Sequence, residues 1–144
     1  MVSERSAAQA GVSADPSMSH AAIALCRLDE LLEGQARGFD PLGAGKDSVF
    51  ALRHRGEVRV YRNSCPHLDV SLEYRKDRFL SADGSQIVCY AHGARFLPDS
   101  GLCVYGPCLG ERLGALQWKV EADWLVLEAG QLEAFGPSLT YRGF

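Results

Sequence analysis

Cys65-Pro-His67, followed by Cys89-Tyr-Ala-His92, decides the reading of this chain. One pair is spaced C-x-H and the other C-x-x-H, in separate segments. Thiolate is a soft ligand and imidazole a borderline one, suited to zinc, iron and iron–sulfur centres. Two thiolates and two imidazoles can fill two tetrahedral corners on each of two irons, with sulfides filling the rest. The intervening residues 68–88 are long enough for a strand pair that brings the two segments together. The pattern therefore points to a metal or iron–sulfur site. A structural Cys₂His₂ zinc site is the bland alternative, but zinc-finger spacing groups Cys with Cys and His with His.

The double motif resembles the Rieske family, whose pattern is C-x-H, a loop of variable length, then C-x-x-H. The resemblance runs over roughly residues 22–128. Cys65-Pro-His67-Leu68 and Cys89-Tyr-Ala-His92-Gly93 look like its two cluster loops. Asp99-Ser-Gly101 looks like the turn that follows, and Gly106-Pro107 like its proline-bearing third loop. The resemblance implies an all-β fold of stacked antiparallel sheets with a small cluster-binding subdomain. It also implies one [2Fe–2S] cluster per chain, held by Cys65, His67, Cys89 and His92, with histidines on one of the two irons.

Two neutral imidazoles add no negative charge where a plant-type centre has two more thiolates. Less charge accumulates on reduction, so the potential is higher, roughly −150 to +300 mV against about −400 mV. Hydrogen bonds to sulfur set the value within that range. In the respiratory members of the family, hydroxyl side chains two and four places after the second histidine bond to sulfur. This chain has Ala94 and Phe96 there. The respiratory type also has a cysteine in each loop, joined as a disulfide, where this chain has Val70 and Ala91. Asp69 adds a carboxylate beside the first loop. A low-potential centre is expected, roughly −150 mV. His67 and His92 are the expected electron exit and docking point, with proton coupling above neutral pH.

The rest of the chain fits a small β domain. It has 144 residues, 47% hydrophobic and 23% charged, with a formal net charge of −3. That balance gives no electrostatic case for nucleic acid or an anionic membrane. No run approaches the roughly 18 apolar residues of a membrane span. Residues 1–20 lack a signal-peptide pattern, so a cytoplasmic protein is expected. They read as a disordered tail, 21–129 as the domain, and 130–144 as a second tail. Two of five cysteines belong to the motif, and the odd total argues against a disulfide framework. Cys103 and Cys108 read as half-buried thiols, or else as a disulfide or redox pair near the cluster.

Strand signals punctuate the sequence. Ile23–Cys26 reads as a first strand and Asp29–Glu33 as a helical turn. The Gly-Pro-rich stretch Gly34–Gly45 reads as loop. A hairpin is expected from Ser48 through the turn at His54–Glu57 to Arg62. A second hairpin is expected across Phe79–Cys89, then a strand at Ala94–Leu97. A last hairpin turns at Ala122-Asp123, with Trp118 and Trp124 as core residues. Arg53, Arg55, Arg59 and Arg62 read as a solvated basic face, and Pro107 as a cover for the cluster.

The leading expectation is a ferredoxin that takes single electrons from a flavoprotein reductase to an oxygenase or other acceptor. It would not itself transform a substrate. An oxygenase catalytic subunit would need two more histidines and a carboxylate on mononuclear iron. Only His20 and His54 remain, and no second domain is long enough. The alternatives are a small Rieske subunit of a larger reductase, such as the nitrite reductase type, or an iron–sulfur sensor or scaffold.

Overall fold

A computed structural model describes residues 22–66, 70–128 and 130–132. Backbone contacts divide the chain into two units, Cys26–Leu116 and the segments on either side of it. The expected tail at residues 1–20 lies outside the described residues, as does the second tail beyond Leu132.

The described strands form three-stranded antiparallel sheets, as an all-β fold requires. In the central unit, β2 (Ala36–Phe39), β3 (Val49–His54) and β4 (Glu57–Arg62) pair in that order. The β3–β4 hairpin matches the alternating pattern. Its register runs from Val49 opposite Arg62 to His54 opposite Glu57. Arg55 and Gly56 both take positive φ at the turn, as the tight hairpin turn that matches strand twist demands. Val49–Leu52 of the middle strand β3 are all buried, so side chains on both of its faces are covered.

Strand β2 corrects the loop reading of Gly34–Gly45. Arg37 pairs with Ala51 and Gly38 with Phe50. Gly38 serves close approach rather than a turn, since a Cβ there would lie 2.4 Å from the Asp47 carboxylate. Its N–H donates to Asp77 Oδ1 at 2.8 Å.

The second sheet orders β5 (Ile87–Val88), β6 (Arg95–Phe96) and β7 (Cys103–Tyr105). The expected Phe79–Cys89 hairpin shrinks to a single bridge between Leu80 and Ile87. Strand β7 is unannounced by the sequence, because Cys103–Tyr105 is too short to show a period. Both sheets feed one core. Phe50 of β3 stacks on Phe79 with centroids 4.3 Å apart and meets Tyr61 of β4 at 5.8 Å. Ile87, Phe96, Leu72 and four cysteines complete that cluster. Each large side chain so buried contributes roughly 1.5–3 kcal/mol.

The third sheet is ordered β1-β9-β8, with β1 at Ile23–Arg27, β8 at Trp118–Glu121 and β9 at Trp124–Leu127. Its hairpin turns at Ala122 and Asp123, both at positive φ without any glycine. Trp124 is 38% exposed, which corrects its assignment to the core. Residues 130–132 are helical, and Gln131 bridges to Gln117 N and O at 2.7 and 2.8 Å.

Arg53 departs from the expected solvated face. It is half-buried and donates to Leu31 O and Leu28 O, at 2.7 and 2.9 Å. Those bonds anchor the short 3₁₀ turn Leu28–Glu30, which starts one residue before the expected helical turn and ends three residues short of it.

Candidate metal centre

Strand β4 ends at Arg62, and the chain enters the first ligand loop through Asn63. Cys65 N donates to Val70 O at 2.9 Å, closing that loop over the residues between. Strand β5 ends at Val88 and delivers Cys89 directly. Gly93 N donates to Cys89 O at 2.7 Å and Cys89 N to Ala94 O at 2.8 Å. Gly93 takes φ +80°, which allows this turn and folds His92 back over Cys89. Tyr90 N donates to Leu72 O at 2.9 Å and so ties the second loop to the segment that follows the first.

The result is a convergence of donors. Ligand atoms of Cys65, Cys89 and His92 all lie within 4.8 Å of one another. The two cysteines are buried and His92 is exposed. His67, with Leu68 and Asp69, lies outside the described residues. Burial pushes the Cys89 thiol up, while the N–H groups of His92 and Ala91 favour its thiolate. That opposition suits a metal ligand: the apolar walls exclude water, and backbone donors point at the sulfur. Two soft sulfur donors and an imidazole in one small space fit an iron–sulfur cluster.

The third loop closes on the same place. Gly106 takes φ +107°, and a Cβ there would lie 2.8 Å from Ala94 Cα. This loop therefore touches the backbone just after the second ligand pair. Pro107 itself is exposed. Cys108 comes next and is 1% exposed. Its sulfur lies 3.0 Å from that of Cys103. Burial holds the Cys108 thiol far above its ordinary range. The full burial of both thiols was not readable from spacing. The adjacent Gly106-Pro107 was the one available signal.

A family model for the Rieske [2Fe-2S] domain matches residues 21–129. The chain belongs to the Rieske [2Fe–2S] domain family. Its cofactor is accordingly a [2Fe–2S] cluster. A search of curated proteins finds no match. Among solved structures, a complex of reduced oxygenase and oxidized ferredoxin in carbazole 1,9a-dioxygenase contains a similar chain. The two share 21% identity at TM-score 0.59, covering 76% of this chain and 94% of that one. The ferredoxin of carbazole 1,9a-dioxygenase from Nocardioides aromaticivorans IC177 is 24% identical, TM-score 0.57, over 74% and 96% of the two chains. The ferredoxin of Sphingomonas yanoikuyae B1 is 22% identical, TM-score 0.58, over 74% and 96%. These likenesses establish the Rieske fold of the chain.

Proposed function

We propose that residues 21–129 form a Rieske-type ferredoxin domain that carries single electrons from a flavoprotein reductase to an oxygenase or similar acceptor. One observation carries the reading: two buried cysteines and one exposed histidine converge within 4.8 Å. Cys65, His67, Cys89 and His92 would hold the cluster, with the thiolates on the inner iron and the imidazoles on the outer one. Bound there, the cluster supplies a one-electron couple.

The chain's own residues do the rest. The cysteines sit in the apolar core, so water is kept from the sulfur side. His92 is exposed, so electrons leave on that side with the shortest path to a docked partner. The imidazole nitrogen left off the metal can hold a proton or a hydrogen bond to the partner. The relatives named above support the reading: two are ferredoxins of carbazole 1,9a-dioxygenase, one of them in complex with the oxygenase, and the third is a ferredoxin.

The proposal includes a cytoplasmic location. All five cysteines are free thiols, in keeping with a reducing compartment. Among the described residues, no helix is long and apolar enough to cross a membrane.

The test is an absorption and EPR spectrum of protein purified without oxygen, with iron and sulfide counted. Two irons and two sulfides per chain, with the signal of a mixed histidine–cysteine centre, are expected. Stoichiometric zinc, or a colourless iron-free preparation, would reject the reading. Reduction by a flavoprotein reductase in the absence of any large subunit then separates a free carrier from a fixed one.

A further inference from the structure

Cys103 and Cys108 lie outside the proposed ligand set, yet their sulfurs are only 3.0 Å apart and both residues are 1% exposed. Backbone bonds fix the loop that joins them. Cys103 N donates to Glu111 O at 2.7 Å, and Gly110 N to Cys103 O at 3.0 Å. Glu111 N donates to Cys108 O at 2.8 Å. Both cysteines are therefore held at the base of a closed loop whose crown carries Gly106-Pro107. A disulfide needs sulfurs about 2.05 Å apart, so an approach of about 1 Å would join them. As thiols they form a chain of hydrogen bonds. Cys108 donates to Cys103, and Cys103 donates to Tyr105 O at 3.3 Å.

We propose that Cys103 and Cys108 form a reversible dithiol–disulfide couple that clasps the third loop. Its formation needs no bound cluster. The oxidant is a low-molecular-weight disulfide. One protein thiolate attacks it, breaks its S–S bond and releases one small thiol. The other protein sulfur then attacks the mixed disulfide, forms the Cys103–Cys108 bond and releases the second small thiol. Two protein S–H bonds and one small S–S bond are exchanged for one protein S–S bond and two small S–H bonds. Burial shields both sulfurs, so exchange waits on opening of the loop and is slow. Oxidation removes both S–H groups and with them the bond from Cys103 to Tyr105 O.

The full-length holoprotein is equilibrated anaerobically in glutathione buffers stepped from reducing to oxidising, until the pattern stops changing. It is then quenched in acid, alkylated, digested and weighed. The peptide carrying Cys103 and Cys108 should pass from doubly alkylated to unalkylated and two hydrogens lighter, while the visible spectrum of the centre persists. Cys103→Ser and Cys108→Ser should each abolish that species. Alkylation of both thiols at every ratio, or glutathione adducts on single sulfurs, would overturn the couple. Bond formation in a chain without iron would reject the cluster reading alone, and iron without the bond would reject the couple alone.

Discussion

Leu72 N donates to the buried Asn63 side chain, at 2.8 Å to Oδ1. The amide nitrogen of Asn63 donates in turn to Asp47 O at 2.9 Å and Glu73 Oε1 at 2.8 Å. Leu72 O then accepts from Tyr90 N, one residue past Cys89. One amide side chain thus links the entry to the first ligand loop with the backbone of the second.

Asn63→Ala should therefore cost more than an ordinary surface change. It leaves Leu72 N buried without its acceptor, and an unsatisfied buried group costs about 1–3 kcal/mol. Chemical denaturation should show that loss, and iron per chain should fall in the same preparation. Full stability with full iron content would show that the loops hold their places without it.

Gly106 makes a sharper steric case. Its φ of +107° disfavours any side chain, and the first atom added would meet Ala94 Cα at 2.8 Å. Gly106→Ala should destabilise the protein by about 1–3 kcal/mol, the range for backbone strain at such positions. Because Ala94 follows the second ligand pair, the variant should also release iron to a chelator faster than wild type. A thermal melt and a chelation time course check both.

Tyr61 gives a pH dependence with a definite sign. Its hydroxyl donates to Pro98 O at 2.8 Å, and burial pushes it up to about 12 from an ordinary 10.0. A raised value means the folded state holds the proton more tightly. The contribution is fully present below pH 10.0 and is lost as the pH rises through about 12. Urea midpoints at pH 9 and pH 11 should fall more in wild type than in Tyr61→Phe. At neutral pH the same variant should lose about 0.5–1.5 kcal/mol, the usual worth of one such bond.

Asp83 gives the opposite sign. Ser85 N, Ser85 Oγ and Ser81 Oγ all donate to its Oδ1, at 3.0, 2.7 and 2.8 Å, and hold the carboxyl at about 2 against 3.8. The turn is tightened above pH 3.8 and loosened as the pH falls through about 2. Asp83→Asn should lower the melting temperature slightly at pH 7 and flatten the acid limb. Since Asp83 is exposed, a parallel acid limb in both proteins would mean solvent screens the effect away.

What the sequence made legible follows from the range of the forces involved. The β3–β4 and β8–β9 hairpins could be read because alternation and turn residues are local signals, as at Arg55-Gly56. The ligand pairs could be read because C-x-H and C-x-x-H are chemically uncommon. Strand β2 was hidden because its glycine answers to Asp47, nine residues away in sequence and in contact only after folding. Arg53 looked like a surface charge, yet its partners are the carbonyls of Leu28 and Leu31, which no period announces. The full burial of Cys103 and Cys108 belongs to the same class, set by the closure of a loop, although their pairing was one of the two readings their positions offered.

The potential of the centre is the remaining consequence of residues already placed. Ala94 and Phe96 are both fully buried and bring no hydroxyl to the second loop. Backbone N–H groups of Ala91 and His92 remain as donors to Cys89. Fewer hydrogen bonds to sulfur leave the reduced form less stabilised, so the midpoint should lie below zero, near the family's lower bound of roughly −150 mV. Ala94→Ser restores one hydroxyl two places after His92 and should raise the midpoint. His92→Cys should act the other way, because a thiolate adds a negative charge where the imidazole adds none. A spectroelectrochemical titration of the three proteins orders them as Ala94→Ser, wild type, His92→Cys from highest to lowest. A wild-type midpoint above zero would mean that donors other than these two hydroxyl positions control the cluster.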